Sequence, residues 1–186
     1  MITGIYDLET SGFKADSSIL LCCAFKTFEK KEPVQILRAD HYKSWKTNRL
    51  YEKEFIKDVL DHLNHFQILV AHNGEYFDKT YLNSKAIQYG LDPIMRRKMT
   101  IDPCLASRKH MALGRNSLAA IIDYLEIPVK KTPIELKKWK MAEVLGDTKS
   151  MDLISKHCKY DILTLEQVYK RVLSLIEKVD KRGSAY

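Results

Sequence analysis

Met1-Ile2-Thr3-Gly4-Ile5-Tyr6-Asp7-Leu8-Glu9-Thr10-Ser11-Gly12 begins as an apolar run and ends in two carboxylates and a turn. If the run is a strand, alternate side chains share a face, so Asp7 and Glu9 point the same way. Burying two unpartnered carboxylates costs several kcal/mol, so such a pair needs a cation or an open cleft. A solvated strand end before a turn at Ser11-Gly12 explains the stretch equally well when it is taken alone. The rest of the chain decides between the two.

Downstream, Ser18-Ile19-Leu20-Leu21-Cys22-Cys23-Ala24-Phe25-Lys26-Thr27 reads as a second strand, apolar on both faces and therefore central. Lys30-Lys31-Glu32-Pro33 is a hairpin-like connection to an alternating third strand, Val34 to Ala39. Asn48 is expected to cap a helix to about Leu63, with Tyr51, Phe55, Ile56, Val59, Leu60 and Leu63 at helical spacing. The short run Phe66 to Ala71 then predicts a right-handed crossover to a strand parallel to the first. A second helix is expected from about Tyr76 to Tyr89, stopped by Gly90 and Pro93, and a fifth strand over Lys98 to Asp102. The remainder reads as helical: Ser117 caps Leu118 to Leu125, Ile134 to Leu145 fits a short helix, and Asp147 or Ser150 starts a long one through about Val179. The expectation is an α/β fold with a five-stranded mixed sheet, an antiparallel meander plus parallel strands, flanked by helices.

At 186 residues, 45% hydrophobic and 30% charged, the chain is long enough for a substantial core; one domain over 1–180 and a frayed tail over 181–186 are expected. No apolar run approaches bilayer-spanning length, and the N-terminus lacks a signal-peptide pattern. Cys22, Cys23, Cys104 and Cys158 show no CxxC spacing and read as reduced, buried thiols, so a cytoplasmic protein with no membrane contact is expected. A net charge of +7 favours a polyanionic partner, nucleic acid first. Arg96-Arg97-Lys98, Arg108-Lys109-His110, Arg115, Lys130-Lys131 and Lys137-Lys138 are candidate strand guides, although each also suits an ordinary solvated face. Trp139 fits either an anchor for a short helix or a surface for base stacking.

Two further acids bear on the opening pair. Asp78 lies where a strand hands over to a helix, after Asn73-Gly74 in the turn. A helix-start acid favoured by the dipole is the plainer explanation. Asp161 lies within the apolar stripe Ile154, Cys158, Leu165, Val168, Val172 and Ile176 of the last helix, with His157 one turn before it. An ionised carboxylate there requires compensation, which a divalent cation shared with Asp7 and Glu9 would supply. Carboxylates from three segments suit magnesium or manganese. Two such ions about 3.5–4 Å apart serve in-line attack on phosphodiesters.

These segments resemble the three exonuclease motifs of the DEDD 3′–5′ exonuclease superfamily, which is DnaQ-like with a ribonuclease H-like fold. Asp7-Leu8-Glu9 is similar to the DxE of the first motif, and Asn73-Gly74-Glu75-Tyr76-Phe77-Asp78 to the NxxxFD form of the second, typical of polymerase-B-type and stand-alone exonuclease domains. His157-Cys158-Lys159-Tyr160-Asp161 falls at the third, and Arg115-Asn116-Ser117-Leu118 resembles the helix start between the second and third. The third motif departs from both known types: His157 stands at the tyrosine-type spacing, while Lys156 holds the position of the histidine type.

The resemblance implies a metal-dependent enzyme that releases nucleoside 5′-monophosphates from the 3′ end of single-stranded or 3′-tailed DNA or RNA. It implies two Mg2+ or Mn2+ ions, with Asp7 bridging them, Glu9 and Asp161 completing one site, and Asp78 holding the other. His157 takes the tyrosine's place and orients the attacking water; an imidazole can also act as a base near neutrality. Leu8, Thr10, Asn73, Phe77 and Arg115 are the expected substrate contacts, with Phe77 serving packing or stacking. Replication or repair proteins are the expected associates. The rival readings are an RNase H-like endonuclease and a catalytically weak binding or polymerase-accessory module.

Overall fold

A computed structural model describes residues 1–93, 98–129 and 133–180. Arg96, Arg97, Lys130, Lys131 and the tail over 181–186 lie outside the described residues.

The chain opens with β1 (Thr3–Thr10), β2 (Leu20–Thr27) and β3 (Gln35–Arg38). It continues through α1 (Lys43–Thr47), α2 (Lys53–Asn64), β4 (Ile68–Val70), α3 (Asp78–Gln88) and β5 (Met99–Ile101). Then follow α4 (Pro103–His110), α5 (Leu118–Tyr124), α6 (Lys137–Lys140), a π-helical segment Met141–Leu145, and α7 (Thr148–Asp180). The five strands form one mixed sheet in the order β3-β2-β1-β4-β5. β1 to β3 are the expected antiparallel meander, while β4 pairs parallel to β1 and β5 parallel to β4.

β2 is buried almost throughout because helices cover both its faces. Phe25 meets His62 and Phe66 at the end of α2, whereas the next residue, Lys26, reaches Glu166 on α7 at 2.7 Å. In the antiparallel register Asp7 lies opposite Ala24 and Glu9 opposite Cys22, so both acids share the face turned toward α7. A register shift between Glu9 and Thr10 ends the regular pairing just beyond them.

Three local expectations are corrected. Asn48 does not cap α2: it closes the end of α1, and its Oδ1 accepts the Leu50 amide at 3.1 Å. α2 starts five residues later, after Glu52, because Glu52 is buried and committed to Lys85 (2.5 Å) and the Leu20 amide. Tyr51 accordingly stands outside the helix and exposed. α4 was not anticipated as an element, although Asp102-Pro103 is a helix start: the Asp102 carboxylate accepts the Cys104 and Leu105 amides, and proline takes the first turn. The third concerns Asp161. Ile162 holds the fully buried place on α7, and Asp161, with a third of its side chain exposed, sits at the stripe's border.

Lys26 and Glu166 are each buried and bonded at 2.7–2.8 Å, and Glu166 also accepts the Glu29 amide at 3.0 Å. Lys26→Ala should destabilise the fold by about 3 kcal/mol, the low end for stranding a buried charge, because Lys170 stands 4.0 Å from Glu166. Urea unfolding measures this, and the double change Lys26→Met with Glu166→Leu should recover most of the loss.

Candidate active site

The strand delivers Asp7 and Glu9, and α7 delivers the residues that face them. The Cys158 thiol donates to Asp7 Oδ2 at 3.3 Å and to the Asp7 carbonyl at 3.5 Å, fixing the helix against the strand. On either side of that contact stand His157 and Asp161. His157 Nε2 lies 3.5 Å from Asp161 Oδ2 and 3.9 Å from Glu9 Oε1, between acids from two distant segments.

Asp78 arrives from the other edge. β4 pairs with β1 only over Thr3 to Ile5, so on that edge β1 runs on without a strand beside it. Asp78 Oδ1 accepts the Leu8 amide at 3.1 Å and takes the place of that missing strand. Asp78 is buried, so it is more than a solvated helix-start acid. The turn before it explains Asn73 and Gly74. Asn73 has φ +58°, a left-handed conformation asparagine tolerates, and a Cβ on Gly74 would fall 2.3 Å from that of Ala71. Asp102 pins the turn by accepting the amides of Asn73 (2.9 Å) and Glu75 (3.3 Å). One buried carboxylate thus caps α4 and shapes the loop that presents Asp78.

Burial raises the proton affinity of all four carboxyls, and mutual repulsion adds to it at Asp7 and Glu9. Burial, then repulsion from Asp78, Glu9 and Asp161, pushes the Asp7 carboxyl well above its ordinary range. Burial lifts Glu9 to about 8, against the opposing pull of the Trp139 hydrogen bond. Burial lifts Asp78 to about 7, although its own amide and that of Leu8 oppose the shift. Asp161 is also raised by burial, with His157 pulling it back.

Two donor sets overlap at Glu9: Asp7, Glu9 and Cys158, and Glu9, His157 and Asp161, with the atoms of each set within 4.8 Å of one another. Carboxylate oxygens dominate, and a divalent cation is what would return these crowded acids to their charged form, so the donors fit a hard metal ion. Glu9, not Asp7, is the donor common to the two sets; Asp78 joins the cluster through the Leu8 amide.

A family model described as the RNase H superfamily matches residues 5–173. The chain belongs to that superfamily. Its membership supports a nuclease-type, nucleic-acid-hydrolysing function, and RNase H-like nucleases generally use divalent metal ions. The five-stranded mixed sheet flanked by helices agrees with the RNase H-like fold. No curated protein matches the chain. Among the described residues, no helix is long and apolar enough to cross a membrane.

The other expected site residues fall as follows. Leu8 is buried, and its amide serves Asp78. The Thr10 hydroxyl donates to the Gly12 carbonyl at 2.7 Å, within the turn after β1. Phe77 is half-buried between Tyr81 and Phe13, and Phe13 is 86% exposed with its ring centroid 6.1 Å from that of Phe77. Arg115 is exposed in the loop before α5, whose Asn116 carbonyl is held by His72 Nε2 at 3.1 Å, beside the end of β4.

Sequence reasoning missed three contributors: Asp102, the exposed Phe13, and the bond from Trp139 Nε1 to Glu9 Oε2 at 2.9 Å. For Asp102 the signal was the Asp-Pro helix start; for Phe13 and Trp139 no local pattern marks the contact.

The raised carboxyls give a signed pH dependence. Glu9 binds its proton up to about pH 8 in the folded protein and only to about 4.5 when unfolded, so the metal-free fold loses stability as pH rises through that window. In EDTA, melting temperature should fall between about pH 5.5 and about pH 8, and Mg2+ or Mn2+ should raise it more at the higher pH. Scanning calorimetry across the two conditions checks this; a metal-induced gain independent of pH would contradict it.

Proposed function

We propose that the chain is a 3′–5′ exonuclease that hydrolyses the terminal phosphodiester bond of single-stranded or 3′-tailed DNA or RNA, releasing nucleoside 5′-monophosphates. The observation that carries the proposal is the meeting of Asp7 and Glu9, from one strand, with His157 and Asp161 one turn apart on α7, while Asp78 closes the strand's open edge at Leu8. Two acids on a single strand favour the exonuclease over the endonuclease reading, in which the second acid usually comes from the first helix.

Bound divalent ions, Mg2+ or Mn2+, would supply an activated water and charge stabilisation at the departing oxygen. Asp7, Glu9, Asp161 and Asp78 would hold them. His157 Nε2, between Glu9 and Asp161, orients the attacking water in line with the P–O3′ bond that breaks. Phe13, presented by Phe77, and Asn73 lie on the loops that flank the acids and face the terminal nucleotide. Lys137, Lys138 and Lys140 bring positive charge on the helix that meets Glu9, which suits a phosphate backbone. The free, buried thiols suit a reducing cytoplasm.

The test uses 5′-labelled oligonucleotides, DNA and RNA, with 3′ tails, in Mg2+, Mn2+ or EDTA. A metal-dependent ladder shortening from the 3′ end is expected, lowered about a hundredfold or more in Asp7→Ala and Asp161→Ala. Discrete internal products would indicate an endonuclease, and binding without cleavage an accessory module. His157→Ala should lose about a hundredfold in turnover while manganese binding by calorimetry is retained; wild-type turnover would remove His157 from the mechanism.

A further inference from the structure

The stretch from α6 to α7 is tied to the turn after β1, to Arg49 and to the acid cluster. Ser11, two residues after Glu9, donates its hydroxyl to Glu143 Oε1 at 2.7 Å. Arg49 donates to the carbonyls of Glu143 (3.0 Å) and Val144 (2.6 Å), where the π-helical turn leaves acceptors open. π-Helical turns are rare and recur at functional sites. With its far end fixed in this way, the segment sets Trp139 against the site. The indole N–H points at Glu9 Oε2, and the ring stands edge-on to His157, with centroids 6.2 Å apart and planes at 89°.

A tryptophan serving only as a packing anchor satisfies its N–H with any carbonyl or water. Here the N–H goes to one oxygen of a carboxylate whose other oxygen, Oε1, faces His157. The two oxygens of Glu9 therefore have separate partners, and one ring fixes both the carboxylate's rotation and one side of the imidazole. We propose that Trp139 is a positioning residue of the metal centre: it holds Glu9 so that Oε1 alone is presented to the cation and walls His157 into its place between Glu9 and Asp161. This rests on the metal-dependent reading above. Hydrogen bonds to metal ligands from their neighbours of this kind change metal affinity by about 10–100-fold when removed.

Two measurements on the full chain test it. Trp139→Phe keeps a ring beside His157 and removes the N–H; its dissociation constant for Mn2+ by calorimetry should weaken about tenfold. Its kcat should fall while KM for the oligonucleotide stays unchanged. In Trp45→Phe, where Trp139 is the sole remaining tryptophan, Mg2+ should shift the emission with the calorimetric midpoint. This second readout stands even if Trp139→Phe does not fold. Wild-type Mn2+ affinity in Trp139→Phe, or Mg2+ binding with flat emission, overturns the proposal. A raised KM with unchanged metal affinity also overturns it, in favour of base stacking. If the wild-type chain itself binds neither ion, the metal-dependent reading falls and takes the proposal with it; binding by the wild type with no effect of Trp139→Phe removes Trp139 alone.

Discussion

Like charges crowded at the end of one strand repel, and the scaffold around β1 holds them together against that repulsion. Asp7, Glu9, Asp78 and Asp161 come from three segments, and the first three are each held by a donor that does not neutralise it: a thiol for Asp7, an indole for Glu9, a main-chain amide for Asp78. No lysine or arginine pairs with these four among the described residues; His157 is the basic group beside them. A lysine there would satisfy the carboxylates and close the site to a cation. Weak, directional donors fix the geometry and leave the charge uncompensated. Among the described residues, the buried ion pairs Lys26–Glu166 and Lys85–Glu52 are set away from the cluster, where they lock α7 and the α2–α3 pair onto β2.

How far the sequence reaches depends on whether a signal is local. The common face of Asp7 and Glu9 follows from the two-residue period of a strand and holds in the register with β2. His157 and Asp161 are one turn apart on any helix, so their adjacency was readable as well. Asn48 misled because an asparagine before a helical pattern has the right chemistry for a cap at either end, and the burial of Glu52 with Lys85 displaced the start. The placement of Asp161 within the apolar stripe overlooked that a helix beside an open cleft has a border as well as an inward face.

Trp139 and Asp102 mark where local reading stops. Trp139 meets Glu9 across 130 residues, and nothing near either residue announces the other. Asp102 was visible as the end of a strand and, beside Pro103, as a helix start. Its bonds to Asn73 and Glu75 depend on β5 lying next to β4, which is a property of the sheet order. The loop presenting Asp78 is therefore shaped from another strand, and its Asn-Gly turn has meaning only once that neighbour is in place.

The contact between Cys158 and Asp7 spans 151 residues. Order of synthesis gives this separation a consequence. Asp7 and Glu9 are made before α7, and the pair has no partners from that helix until it too has been made. α7 completes the cluster only by docking across β1, β2 and β3, and closing so long a loop is a late, entropically costly event. A chain that lacks α7 carries Asp7, Glu9 and Asp78 without Cys158, His157 and Asp161, and so cannot assemble the cluster.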